Sequence, residues 1–115
     1  MAETYNMPDI VKGDTFKDLQ FTITINSVAE DLTGYAIACK FRKGSKTGRE
    51  IKSLTVGSGI TITDATNGIF QINAFDLGVT FTAGVYYYDI QFTDTSNVIN
   101  TWISGTIEVI QDVSF

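Results

Sequence analysis

The chain has 115 residues and a formal charge of −5, with no histidine, one cysteine and one proline. Histidine-dependent triads and the usual Cys/His zinc sites are thereby excluded, and the acidic balance makes nucleic acid a poor partner, because phosphate binding needs a net basic face. Isoleucine, valine, threonine and the aromatics supply 52 residues, a strand-forming composition in a chain long enough for one self-sufficient core and too short for two.

Residues 1–9 are polar, hold Pro8 and lack the basic start and apolar core of a secretory signal. They read as an N-terminal arm or short edge strand, ahead of a single domain over residues 10–115. From Phe16 to Ile25, the apolar Leu19, Phe21, Ile23 and Ile25 alternate with Gln20, Thr22 and Thr24, the period of a half-buried strand. Asn26-Ser27 breaks that strand, and Asp31-Leu32-Thr33-Gly34 is a turn with a leucine anchor. Tyr35 to Arg42 resumes the alternation, with Tyr35, Ile37, Cys39 and Phe41 on one face and Ala36, Ala38, Lys40 and Arg42 on the other. Lys43 to Gly48 is a basic hairpin loop, returned by a strand over Arg49 to Val56.

Gly57-Ser58-Gly59 is a turn. Ile60 and Ile62 form a short strand, and Asn67-Gly68 supplies the positive-φ positions of a tight hairpin into a strand over Ile69 to Ala74. Phe75 to Ala83 has no clear period and reads as a helical turn or an irregular crossover. Val85 to Phe92 is the clearest strand. Val98 to Ile103 and Gly105 to Ile110 read as one last strand bent at Gly105. About seven to nine short strands with regular turn signals predict an all-β antiparallel sandwich or small barrel. Its expected core is Phe21, Ile23, Ile37, Phe41, Ile72, Tyr86, Tyr88 and Ile90. No apolar run approaches the ~18 residues of a membrane helix, so no membrane partner is expected.

The carboxylates point to turns rather than to catalysis. Glu30 and Asp31 are sequence neighbours, and Asp64 and Asp94 sit where aspartate caps backbone amides. Asp94-Thr95-Ser96-Asn97 lacks the spacing of a calcium loop, and the glycine clusters match no phosphate-binding fingerprint. Cys39 reads as a small buried residue, and the lack of any disulfide partner fits synthesis in a reducing cytoplasm. No catalytic residue, metal or cofactor is expected.

The charge distribution says more than its sum. All eight basic residues lie between Lys12 and Lys52, and Lys40, Arg42, Lys43, Lys46, Arg49 and Lys52 crowd into one stretch. From Ser53 to Phe115 there are six acidic residues and no cation. Such a patch is either a solvated loop or a docking surface for an acidic neighbour, including another copy of the chain. In the run Tyr86-Tyr87-Tyr88, Tyr87 must face away from its two neighbours. Trp102 either caps the core, anchors a protein interface, or joins Tyr87 in stacking on a sugar ring. Tyr5 and Met7, in an arm too polar to fold alone, are expected to order only against a partner.

Five segments in order resemble a family of phage structural modules, the immunoglobulin-like N-terminal domain of siphophage baseplate upper proteins and related small virion proteins. They are Lys12-Gly13-Asp14-Thr15-Phe16; Asp31-Leu32-Thr33-Gly34-Tyr35 with Cys39-Lys40-Phe41-Arg42-Lys43; Gly59-Ile60-Thr61-Ile62 with Asn67-Gly68-Ile69-Phe70; Ala83-Gly84-Val85-Tyr86-Tyr87-Tyr88-Asp89-Ile90; and Ser104-Gly105-Thr106-Ile107. The Ala-Gly-x-Tyr piece is also similar to the tyrosine corner of immunoglobulin sandwiches, with Tyr88 where a disulfide cysteine would stand.

The resemblance implies an immunoglobulin-like sandwich and a non-enzymatic virion protein, made in the bacterial host cytoplasm. Such a protein docks on the tail, baseplate, fibre apparatus or head through contacts with other virion proteins, as a homo-oligomer or repeated array. Larger members carry C-terminal extensions toward receptor-binding proteins. This chain ends at Phe115, so a bare adaptor or decoration is expected. The expected interface residues are Tyr5, Met7, Lys40, Arg42, Lys43, Lys46, Arg49, Lys52, Tyr87 and Trp102. The alternative is a carbohydrate-binding module for host-surface adhesion, built on Tyr87 and Trp102.

Overall fold

A computed structural model describes residues 3–78 and 81–111. Its regular elements are thirteen strands and one 3-10 turn. The N-terminal part gives β1 (Glu3–Thr4), β2 (Ile10–Val11), β3 (Thr15–Phe16), β4 (Leu19–Thr22), β5 (Thr24–Ile25) and β6 (Val28–Ala29). The middle gives β7 (Ala36–Lys43), β8 (Glu50–Val56), β9 (Gly59–Asp64), the 3-10 turn Ala65–Asn67 and β10 (Ile69–Ile72). The rest is β11 (Phe75–Asp76), β12 (Gly84–Thr93) and β13 (Ile99–Ile110).

Nine strands make one sheet in the order β1-β13-β12-β7-β8-β9-β10-β4, with β2 also on β13; β11 pairs β3 and β5 pairs β6 separately. Phe70 of β10 meets Phe92 of β12 with ring centroids 5.4 Å apart, although β9, β8 and β7 lie between them in the order. The sheet is therefore curled over on itself, and its inner face encloses the core. The curl is made where β8 passes into β9. Gly57 and Gly59 take φ of +87° and +102°, and a Cβ on Gly59 would come within 2.5 Å of the Leu54 side chain. Only glycine fits that corner, because it combines positive φ with a close approach.

The alternation that defines the central strands is obeyed. Along β7 it buries Ile37, Cys39 and Phe41, and along β12 it buries Tyr86, Tyr88, Ile90 and Phe92. Of the expected core, Ile23 and Ile72 are buried too, and Phe21 is half-buried, stacked on Phe70 at 5.3 Å. Tyr86 Oη donates to the Thr82 carbonyl at 2.7 Å, tying the start of β12 to the segment that leads into it.

Several expectations are corrected. The sheet is mixed rather than wholly antiparallel, because β1 and β2 run parallel to β13 and β8 parallel to β9. The long first strand is three short ones, β3, β4 and β5. Ile25 is 42% exposed, because Asn26 and Ser27 both take positive φ and fold Thr24–Ile25 back onto Val28–Ala29. Val56, at the end of the return strand, is 42% exposed, while Leu54 is buried. Asn67 does not join Gly68 at positive φ; a 3-10 turn closed by left-handed Gly68 replaces the tight hairpin. Within the described residues of 75–83, Phe75–Asp76 is a strand on β3. The irregularity of the last strand falls at Trp102 rather than Gly105: Ile90 pairs Ile103 and Gln91 pairs Thr101, which leaves Trp102 as the extra residue.

The largest correction concerns the N-terminal arm. It runs along β13, where Tyr5 N donates to Ser104 O and Met7 N to Thr106 O, both at 2.8 Å. Tyr88 Oη donates to the Tyr5 carbonyl at 2.5 Å. Met7 is 5% exposed and belongs to the core. From Glu3 onward the segment is polar overall, yet its main chain pairs with β13 and Met7 packs into the core of its own domain.

Candidate docking surface

Residues opposite one another in a ladder share a face, so the register of β12, β7 and β8 assembles the outward surface directly. Tyr87 lies opposite Arg42, and Arg42 opposite Glu50; Asp89 lies opposite Lys40, and Lys40 opposite Ser53. On the other side, Thr106 and Ser104 of β13 flank Tyr87 and Asp89. A shallow cleft of about 260 Å³ opens among Lys40, Arg42, Lys46, Tyr87 and Asp89. Tyr87 is half-buried there, its ring set among polar neighbours.

One carboxylate serves two cations on this face. Glu50 Oε1 lies 3.9 Å from both Lys40 Nζ and Arg42 Nη2. All three side chains keep 30–42% exposure, so these pairs are long, shared and solvent-screened and add little stability. Arg42 Nη1 also donates to the Gly48 carbonyl at 3.3 Å, which ties it to the hairpin that carries Lys46. The face keeps a local cationic excess beside an aromatic ring.

The basic stretch seen in the sequence does not form one patch. Lys43 donates to Thr82 Oγ1 and its Nζ lies 5.7 Å from the centre of the Tyr86 ring; Lys52 Nζ lies 4.8 Å from that of Phe75. These two cap the end of the core formed by Phe75 and Tyr86, with their charged tips over the aromatic faces. Arg49 is exposed where the hairpin enters β8. Lys40, Arg42 and Lys46 remain on the outward face.

The aromatic pair is not brought together. Tyr87 belongs to the outward face. Trp102, turned by its bulge, packs against Phe92 at 4.8 Å and Tyr35 at 6.1 Å, and lines a groove with Tyr5 and Phe21. Tyr5 is 39% exposed, its ring edge-on to Phe21 at 5.8 Å. That groove, beside β4, went unnoticed in the sequence; the uncharged run Leu19–Ile25 was its only signal.

The carboxylates hold turns. Glu30 Oε2 accepts from Tyr35 Oη at 2.5 Å, and Asp31 Oδ1 accepts from Thr33 N and Oγ1 at 2.9 and 2.6 Å. The Thr33 bonds hold the Asp31 carboxyl below its usual range. The Glu30 bond, with burial and nearby negative charge, pushes the Tyr35 phenol up to about 12. Asp64 is lowered by its bond from Asn67, and Asp94 Oδ1 accepts from Ser96 N and Val98 N at 2.8 and 3.0 Å. Burial, followed by the nearby Asp89 charge, pushes the Cys39 thiol up, which keeps it protonated and unreactive. Among the described residues no group of three or more His, Cys, Asp or Glu side chains is placed to hold a metal ion.

No protein-family model matches the chain, and no curated protein matches it.

Proposed function

We propose that the chain is a non-enzymatic structural module of a bacteriophage particle, immunoglobulin-like in architecture, that docks on acidic neighbours through the outward face of β7 and β12. The strand order supports the architecture. β13, β12, β7 and β8 follow the G-F-C-C′ order of one immunoglobulin layer, and β9, β10 and β4 follow the D-E-B order of the other. The Tyr86 bond to Thr82 O is similar to the tyrosine corner of such sandwiches and supports the same reading. The phage assignment rests on the five sequence segments, four of which lie at turns or strand starts.

One observation carries the docking role: Lys40, Arg42 and Lys46 converge beside half-buried Tyr87 with, among the described residues, Glu50 and Asp89 to offset them. Desolvating the ring against a carboxylate-bearing surface would supply both anchor and steering. A second copy qualifies as a neighbour, since residues 53–111 carry no cation. The virion proteins around it are the intended partners, with no nucleic acid, membrane or cofactor. Separation of Tyr87 from Trp102 removes the platform on which glycan stacking depended.

The test is a triple variant, Lys40→Glu, Arg42→Glu and Lys46→Glu, supplied during phage assembly. Incorporation into particles should fall at least tenfold, with the thermal melt shifted by only a few degrees, because exposed pairs contribute about 0–1 kcal/mol each. Wild-type incorporation of a folded triple variant would return this face to plain solvated surface.

A further inference from the structure

The curled sheet has one edge that its own sequence leaves unguarded. β4 is the last strand in the order, with β10 as its only neighbour among the described residues. Ile23 N donates to Gly68 O at 2.8 Å, in register with the β4–β10 ladder. Antiparallel alternation then turns the N–H and C=O of Leu19 and Phe21 toward β10, and those of Gln20 and Thr22 outward. Leu19–Ile25 contains no charge and no proline, the usual guards of an edge, whereas the opposite edge carries Pro8 and Asp9.

Beside this edge lie two grooves in line. The upper one, about 580 Å³, is walled by Tyr5, Phe21 and Trp102; the lower one, about 420 Å³, by Met7, Phe16 and Ile107. Leu19 lines both, so they form one seam alongside β4. Among the described residues the upper groove has no charged side chain in its walls, while the lower has Asp9, Asp14 and Asp18 against Lys17.

We propose that this seam receives an extended segment of another polypeptide, added as a strand along β4. Its aliphatic side chains would enter the grooves at alternate positions, and lysine or arginine would stand at the end that reaches Asp14 and Asp18. Outward main-chain groups supply the affinity and the grooves the selectivity, as in other strand additions. Charge complementarity with the lower groove sets the basic end. A second copy of the chain does not offer such a segment: six of its eight cations lie between Lys40 and Lys52, a stretch already paired as β7 and β8, and Lys12 and Lys17 adjoin β2 and β3, which are paired to β13 and β11. The inference stands apart from the cationic face of β7 and β12.

The probe is a synthetic peptide of alternating valine and threonine with two lysines at each end, titrated against isotope-labelled protein. The expected result is saturable binding in which amide exchange at Gln20 and Thr22 slows at least tenfold, and binding at least tenfold weaker when the terminal lysines are glutamates. Thr22→Pro removes an outward N–H and no bond of the β4–β10 ladder, and proline is tolerated on edge strands, so it should shift the melt by only a few degrees and abolish binding. The double variant Gln20→Lys/Thr22→Lys leaves the backbone intact and should weaken the lysine peptide at least tenfold by like charge. No binding, undiminished binding to both variants, or protection confined to other strands overturns the proposal. So does a concentration-dependent dimer of the chain alone that Thr22→Pro abolishes, since that would assign the edge to a second copy.

Discussion

Gly105→Ala tests the seating of the N-terminal strand. A Cβ at position 105 would stand 1.9 Å from the Tyr5 carbonyl oxygen and 2.7 Å from its carbon, where real contacts essentially never fall below 3.0 Å. The obstacle is backbone, so the strand must lift from β13. Lifting it removes the Tyr5–Ser104, Met7–Thr106 and Tyr88–Tyr5 hydrogen bonds and exposes Met7. Three bonds at about 1 kcal/mol each and a methionine at about 2 kcal/mol, partly offset by regained chain freedom, leave a net loss of about 2–3 kcal/mol. For a domain of this size that lowers the melting temperature by roughly 8–12 °C. Thermal unfolding followed by circular dichroism reads it directly. Deletion of residues 1–8 should cost a similar amount, and Met7→Ala about 2–3 kcal/mol. If Gly105→Ala and the deletion both melt within about 2 °C of wild type, the strand contributes nothing and the reasoning fails.

Tyr86→Phe keeps the buried ring and removes the bond to Thr82 O; equilibrium denaturation should show a loss of about 1 kcal/mol, and unchanged stability would contradict the role of that bond. The Tyr35 phenol, raised to about 12, holds its proton between pH 10 and 12 while the unfolded phenol gives its proton up. The folded state then binds more protons, so stability is full below about pH 10 and falls as pH rises through that window. Tyr35→Phe should flatten the fall, leaving the part due to the also-raised Tyr88; an identical slope would refute the assignment. Cys39, fully buried with its thiol pushed up, should resist a thiol reagent in the native protein and react on unfolding. Rapid stoichiometric labelling of the native state would count against that burial.

What the sequence revealed and what it hid divide along the range of the interactions. β7 and β12 were legible because their burial follows a two-residue period set by local pleating: Ile37, Cys39, Phe41, Tyr86, Tyr88, Ile90 and Phe92 are all buried, and only Tyr35, just ahead of β7, is half-buried. Met7 was not, because its burial depends on parallel pairing with β13 nearly a hundred residues later, which no local pattern encodes. Ile25 looked like a core position until the positive φ at Asn26 and Ser27 turned it out of the sheet. Lys43 and Lys52 looked like members of one surface patch. Proximity in sequence concealed that they cap the aromatic end of the core while Lys40 and Arg42 face outward. The extra residue at Trp102 separated it from Tyr87, and a bulge of that kind carries no glycine or proline signal here.

Quantitative mass spectrometry of gradient-purified phage particles, from cells making the chain at its natural level, tests the structural role most directly. The expected result is a fixed copy number per particle, constant between preparations and in whole-number ratio to the other virion proteins. Absence from purified particles, with the chain left in the lysate supernatant, would contradict it.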